Sequence, residues 1–398
     1  MRTLVVTSRE KGHVHPIVGV AQELALRRHE VGWCFLPSPP EGVELLGARI
    51  IDIARSDVAP GVTPDVTHGA ELAALLRDPP RLRAWIRALL IDGAEPLIAP
   101  ARDAIRRFDP DVVAPDPMLY GAILAAHLEG RPWTSLSSSL NPVTPRNFDC
   151  ELARTVRTLA DAREALFARY DLQARFSVCD ALSPWLTAVF ASPRYAGLLG
   201  PIPSGVRALG PSRPRGPRGA SGTHIEPGGA PIVYASFGSQ AYHQPSRFET
   251  LIAATRGLGV RLVLAAGALA PALRALRAPH VEAHALVDQL AVLRHARLCV
   301  THGGANSVME ALDAGVPLLV APIANDQPIQ AAFVEAAGTG RAIDLDGASA
   351  GEAREAIGAL LRAEAPERRA AAAIARENAA LDGARAAAEA IIALGERG

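Results

Sequence analysis

Leu298-Cys-Val-Thr-His302-Gly303-Gly304-Ala-Asn306-Ser307-Val-Met-Glu310-Ala-Leu312 sets a short apolar run before two glycines and then a helical pattern. A strand that ends in a glycine turn and feeds a helix is half of a parallel-sheet βαβ unit. Open parallel sheets gather ligands at the carboxyl ends of their strands, and a helix N-terminus offers free amides and a positive dipole to an anion. A diphosphate fits such a corner, with His302 as a donor, Gly303 and Gly304 allowing close backbone approach, and Asn306 and Ser307 reaching phosphate oxygens. The same letters satisfy a plainer pattern, because Ser307-x-x-Glu310 has capping-box spacing and glycines make turns. After the next apolar run, Asn325-Asp326-Gln327-Pro328 falls at the same sheet edge. Asp326 and Gln327 could grip sugar hydroxyls there, or Asp326 could cap a helix whose first turn holds Pro328.

Outward from this segment the same rhythm continues in both directions. Strands are predicted over residues 232–236, 261–265, 298–300 and 316–321, with helices over 247–255, 305–314 and 328–337. Toward the N-terminus, strands are predicted over 3–7, 31–36, 111–114 and 133–136, and helices over 16–28, 120–129 and 154–176. Pro16 suits a first helical turn. Residues 65–107 read as helix or loop, with Trp85, Ile86, Leu89 and Leu90 as packing residues. The clearest shift in composition lies at residues 200–229, rich in Pro and Gly without apolar periodicity, which reads as a linker. An α/β protein of two Rossmann-like halves follows: residues 1–200, a linker over 201–229, and residues 230–365, with a helical segment over 366–398.

Composition narrows the function. The 398 residues carry 41 Lys plus Arg against 41 Asp plus Glu, for zero net charge. That balance lacks the basic footprint that binding to nucleic acid or an anionic membrane requires. Cys34, Cys150, Cys179 and Cys299 are widely spaced, encoding neither a zinc knuckle nor a disulfide framework, and read as reduced thiols. No stretch reaches the roughly 20 apolar residues of a membrane span and no leader precedes Thr3, so a cytoplasmic protein is expected. Walker A, G-x-S-x-G and a G-x-G-x-x-G after the first strand are absent. Asp109-x-Asp111 and Asp344-x-Asp346 match a D-x-D metal pattern without companion ligands.

In the N-terminal half, Lys11-Gly12-His13-Val-His15-Pro16 links the first strand to the first helix. His13 stands where a general base could act, and Asp116 ends another strand and could orient an imidazole and stabilise its charged form. Alone, His13 is more often a turn or capping residue and Asp116 a turn residue. Together they lie at the carboxyl ends of strands of one sheet and could meet across it.

The stretch from His284 to Val334 resembles the nucleotide-sugar signature of the GT-B, family 1 glycosyltransferases, the group of the macrolide, flavonoid and carotenoid glucosyltransferases. The resemblance rests on Val287-Asp-Gln289, Thr301-His302-Gly-Gly-Ala-Asn306-Ser307-Val-Met-Glu310, Gly315-Val-Pro and Asp326-Gln327-Pro. It extends to Gly12-His13-x-x-Pro16, Asp116 and Ser236-Phe-Gly-Ser239. It implies two Rossmann-like domains facing across a cleft. His302, Asn306, Ser307 and Ser239 would hold a diphosphate, with Gly12, Gly303 and Gly304 beside it. Glu310 and Gln289 would hold the ribose, Asp326 and Gln327 the transferred sugar, and Leu286 with Val287 the base. Where the plant members have W-x-P-Q, this chain has Leu286-Val-Asp-Gln289, so UDP and dTDP both stay open.

The resemblance implies an inverting transfer of a hexose to a hydroxyl of a small hydrophobic natural product, with His13 as base, Asp116 as its partner, and neither cofactor nor metal. The stretches 56–100 and 137–195, with Trp85, Phe148, Phe176 and Trp185, have the content of an apolar acceptor cleft or of ordinary core. The terminal helical segment would cross back to the first domain, as in the family. The rival readings are a nucleotide-sugar epimerase or hydrolase, and a silent nucleotide-sugar-binding partner of an active transferase.

Overall fold

The computed structural model describes residues 1–36, 45, 47–51, 69–216, 222–240 and 242–397. The chain divides into two compact units. One comprises Met1–Val66, Asp78–Gly219 and Leu381–Gly398; the other comprises Thr67–Arg77 and Ala220–Ala380.

The first unit is built on parallel strands β1 (Arg2–Ser8), β2 (Glu30–Leu36), β3 (Arg49–Ile50) and β4 (Val112–Pro115), in the order β3-β2-β1-β4. Strand β1 is buried from Thr3 to Thr7 because both of its faces are covered, as parallel sheets require. β5 (Thr134–Ser137) continues the layer through a parallel bridge between Val113 and Trp133. A short antiparallel pair, β6 (Arg175–Ser177) and β7 (Asp180–Leu182), follows, then β8 (Leu186–Val189) and β9 (Val206–Ala208) in the order β5-β8-β9. Strand order reverses between β1 and β4, and ligands of open α/β sheets bind at such switch points.

The second unit repeats the plan: β10 (Ile232–Ser236), β11 (Arg261–Ala265), β12 (Val281–His284), β13 (Ala296–Thr301), β14 (Leu318–Val320) and β15 (Gly340–Ala342). All pairs are parallel, in the order β12-β11-β10-β13-β14-β15, so the reversal lies between β10 and β13. Phe237, Phe248, Leu262, Leu264, Val300 and Leu319 are buried in its core. No helix among the described residues is long and apolar enough to cross a membrane.

Three expectations need correction. The first helix begins at Lys11, not at Pro16, so His13 is helical and Pro16 is internal. A proline there forgoes one bond to the Gly12 carbonyl, while the extra turn buries Val14 completely. The Pro/Gly-rich stretch expected as linker contains β9, whose pairing with β8 is invisible to a local pattern. The Ala-rich segment is two helices. Pro366–Ala379 stays with the second unit, and Gly383–Gly395, capped by Asp382 through the Arg385 amide, joins the first. Its Ala387, Ala388 and Ile391 enter the same core as Ile17, Val20 and Leu24 of the first helix.

Gly383 is required by close approach. A Cβ there would overlap the Gly210 carbonyl oxygen and sit 3.0 Å from the Pro211 carbonyl carbon. Gly383→Ala gains at most about 1 kcal/mol in helix propensity, against an overpacking cost of about 1–3 kcal/mol. Sterics should win, and urea unfolding is expected to show a net destabilisation; an unchanged or raised midpoint would refute the close packing.

Candidate functional site

At the switch point of the first sheet, β1 and β4 are in register with Val6 beside Pro115. The residues that follow those strands therefore share one edge. The Asp116 amide donates to the Val6 carbonyl at 2.7 Å, and the His13 amide to Glu10 at 2.9 Å, fixing the first turn of the helix. The side chains meet: His13 Nδ1 lies 2.5 Å from Asp116 Oδ2. The other carboxylate oxygen accepts the Met118 amide at 3.0 Å. Ser138 Oγ is 3.4 Å from the same imidazole nitrogen.

The carboxylate is 5% exposed and the imidazole 27%, so the acid is enclosed and the ring reaches outward. Facing a carboxylate, Nδ1 keeps the proton and donates it to Asp116, which leaves Nε2 with its lone pair. Thr7, Ile17, Ala114, Leu136 and Ser138 line the small recess around the pair. Burial pushes the Asp116 carboxyl up, but the charge and hydrogen bond of His13 and the Met118 amide outweigh it and hold it below the usual range.

A second buried carboxylate, which no local motif announced, lies in the same unit. Asp180 accepts Ser137 Oγ at 2.5 Å and Asn141 Nδ2 at 2.7 Å. Burial pushes it up to about 6, opposed by the Ser137 and Asn141 bonds and reinforced by the negative Asp116. Environment has driven two nearby acids in opposite directions.

At the switch point of the second sheet, β13 runs into His302, Gly303 and Gly304, and the helix Ala305–Asp313 begins. Gly303 has φ 91°, a left-handed value that favours glycine. The His302 ring lies between two more glycines: a Cβ at Gly238 would come 2.9 Å from the ring and one at Gly304 2.8 Å from Nε2. Burial and the Arg247 guanidinium lower the His302 imidazole to about 4, against a bond to the Ser236 backbone, so the ring is neutral at pH 7.

The capping box is not formed, since Gly304 is the N-cap and no side chain caps it. Glu310 instead accepts Gln289 Nε2 at 2.7 Å, with Ser307 Oγ 3.4 Å from that nitrogen. The Tyr234 hydroxyl, kept protonated by burial, donates to Gln289 Oε1 at 3.0 Å. Gln289, Ser307 and Glu310 are therefore brought together. Asp288 caps the helix Gln289–Leu293 through the Ala291 amide. Leu286 is 43% exposed and Val287 buried. Ser239 is exposed one residue past Gly238, and Asn306 is half-buried in the first helical turn.

Asp326 is the N-cap of the helix Gln327–Ala336 without a side-chain capping bond, so the plain capping reading fails there too. Gln327 Oε1 accepts the Ile323 and Ala324 amides at 2.7 and 3.0 Å. The D-x-D pairs are engaged structurally: Asp109 with Arg2 and Arg131, Asp111 with the Arg2 amide, Asp346 with Arg247, and Asp344 with the Asp346 amide. Gly12 lies in the first unit, beside His13 in the first turn of the helix Lys11–Leu26. The part of the expected acceptor stretch at residues 56–68 lies outside the described residues. Of its aromatics, Trp85, Phe148 and Phe176 are half-buried, and Trp185 is 47% exposed.

Residues 217–369 match the family model described as UDP-glucoronosyl and UDP-glucosyl transferase. Oleandomycin glycosyltransferase of Streptomyces antibioticus is 30% identical over 376 residues, 88% of this chain and 81% of that one. Zeaxanthin glucosyltransferase of Pantoea ananas is 26% identical over 367 residues, 83% and 81% of the two chains. The crystal structure of the glycotransferase of kitacinnamycin superposes with a TM-score of 0.76 at 25% identity, covering 99% of this chain and 98% of that one.

The raised Asp180 has a consequence for stability. A carboxyl held protonated up to about 6 when folded, against about 3.9 unfolded, favours the folded state at low pH and loses that benefit as pH rises through 6. Asp180→Asn should therefore raise stability at pH 7.5 by about 1–3 kcal/mol, at about 1.4 kcal/mol per pH unit, with the gain shrinking by pH 4.5. Paired denaturant titrations check this; a loss at both pH values would contradict it.

Proposed function

The chain belongs to the family of UDP-glucuronosyl and UDP-glucosyl transferases and has the GT-B fold, and on that premise we propose that it moves a hexose, with inversion, from a UDP- or dTDP-sugar to a hydroxyl of a small hydrophobic natural product. The observation that carries this reading is the imidazole–carboxylate pair of His13 and Asp116 at the first switch point. A module that only bound nucleotide would need no such pair.

The chemistry follows from the protonation state. His13 Nε2 accepts the acceptor hydroxyl proton as the oxygen attacks the anomeric carbon and the bond from that carbon to the diphosphate oxygen breaks. Asp116, held ionised, stabilises the imidazolium that forms. The departing nucleoside diphosphate takes the bonding electrons. Its charge falls on the backbone amides at the start of the helix Ala305–Asp313, with Asn306, Ser307 and Ser239 beside them and His302 behind.

Glu310 and Gln289, already hydrogen-bonded to each other, present a carboxylate to the ribose hydroxyls. Exposed Leu286 offers an apolar face to the base. Gln327 has its oxygen committed to its own loop, so its amide nitrogen, together with Asp326, is assigned to the sugar. Amides and dipoles would carry the leaving-group charge in place of a metal. The relatives' names, for oleandomycin and zeaxanthin, support a natural-product acceptor, and exposed Trp185, edge-on to Trp133 at 6.1 Å, offers apolar surface in the first unit.

UDP-glucose and dTDP-glucose, each with EDTA and a panel of hydroxylated aromatic and polyketide acceptors, should show acceptor-dependent nucleotide release with a hexose added to the acceptor. His13→Ala should reduce turnover by about 10²-fold or more. Near-normal transfer by that variant would remove His13 as the base, and release without acceptor would favour an epimerase or hydrolase.

A further inference from the structure

Arg247 is 3% exposed, an unusual burial for a guanidinium. It sits in the first turn of the helix Pro245–Thr255. Nε and Nη2 meet the two oxygens of Asp346 at 2.9 and 2.6 Å, a forked pairing that only arginine supplies. The remaining reach goes to backbone: Nη1 donates to the Ala321 carbonyl at 2.8 Å and Nη2 to the Pro322 carbonyl at 3.2 Å. Its Cζ lies 5.8 Å from the centre of the Phe237 ring.

Those two carbonyls open the loop that follows β14 and ends at Asp326 and Gln327. The next two peptides, at Ile323 and Ala324, are held from the other end by Gln327 Oε1. Four consecutive residues are thus gripped, two by carbonyl and two by amide. An apolar side chain in place of Arg247 would leave the Ala321 carbonyl and part of the Pro322 carbonyl without a donor, and burying a cation is costly unless its bonds are made. The guanidinium does not belong to the set of residues proposed to touch the donor, yet it sets the loop that carries two of them.

We propose that Arg247, locked by Asp346, is a positioning residue that holds residues 321–327 in the conformation in which Asp326 and Gln327 recognise the transferred sugar. The inference rests on the donor assignment proposed above. It makes sugar recognition, and not nucleotide recognition, depend on a residue that touches neither.

The test compares dissociation constants for UDP with UDP-glucose, and for dTDP with dTDP-glucose, in the full-length wild type, Arg247→Lys and Asp346→Asn. Lysine keeps the charge but loses the fork. The Asp346 side chain is 44% exposed, so Asp346→Asn keeps its shape and weakens the lock by removing its charge. In both variants the ratio of the nucleotide-sugar constant to the nucleotide constant should rise about fivefold, the worth of one ordinary hydrogen bond, with nucleotide affinity within about twofold of wild type. An unchanged ratio, with or without a lower thermal midpoint, would make Arg247 merely structural and overturn the proposal, as would equal weakening of both ligands. A wild type that binds neither nucleotide would instead sink the donor assignment, and this inference with it.

Discussion

Strand order is the constraint on which both candidate sites depend. In each unit, the sheet grows in one direction from its first strand and then reverses, so the chain leaving two central strands diverges and opens a crevice at their carboxyl ends. In the first unit the reversal separates β1 from β4, and the residues that follow are His13 and Asp116. In the second it separates β10 from β13, and the residues that follow are Gly238 and His302. His13 and Asp116 are 103 positions apart and still form a 2.5 Å contact, because the parallel register leaves their strand ends side by side.

Burial then assigns each group its state. Asp116 stays ionised because a histidine and an amide compensate its desolvation, whereas Asp180, with neutral partners only, is pushed up to about 6. His302 is enclosed by two glycines at which any Cβ would strike it, and is lowered to about 4 by burial and a buried arginine. The same residue type serves opposite ends: His13 is open enough to exchange a proton, and His302 is placed to shape a corner.

Much of this was legible from sequence, and the rest failed for identifiable reasons. Strands β10 and β11 fall on residues 232–236 and 261–265 because buried parallel strands are unbroken apolar runs bounded by turns. The position of His302 and Ser307 directly after a strand was legible from local spacing, whereas Glu310 and Gln289 were linked only by the family resemblance. The start of the first helix was misread because Pro16 is a strong local signal and the tertiary burial of Val14 overrode it. β9 hid in a Pro/Gly-rich stretch because its partner strand, not its composition, makes it a strand. Arg247 and Asp180 had no motif at all. The partners of Arg247 lie 74 to 99 positions away, and those of Asp180 include Ser137 at 43. A buried charge is recognised only when its partners are seen.

In the proposed reaction His13 works as a base because Asp116 holds and stabilises it. The most direct measurement is acceptor-dependent turnover of Asp116→Asn, with nucleotide affinity measured on the same preparation. Turnover should fall by about 10²-fold or more, with affinity for the nucleoside diphosphate within about twofold of wild type, because the amide keeps the shape and loses the charge. Turnover equal to wild type would contradict it, and the His13–Asp116 pair would then be an element of the fold and not of the chemistry.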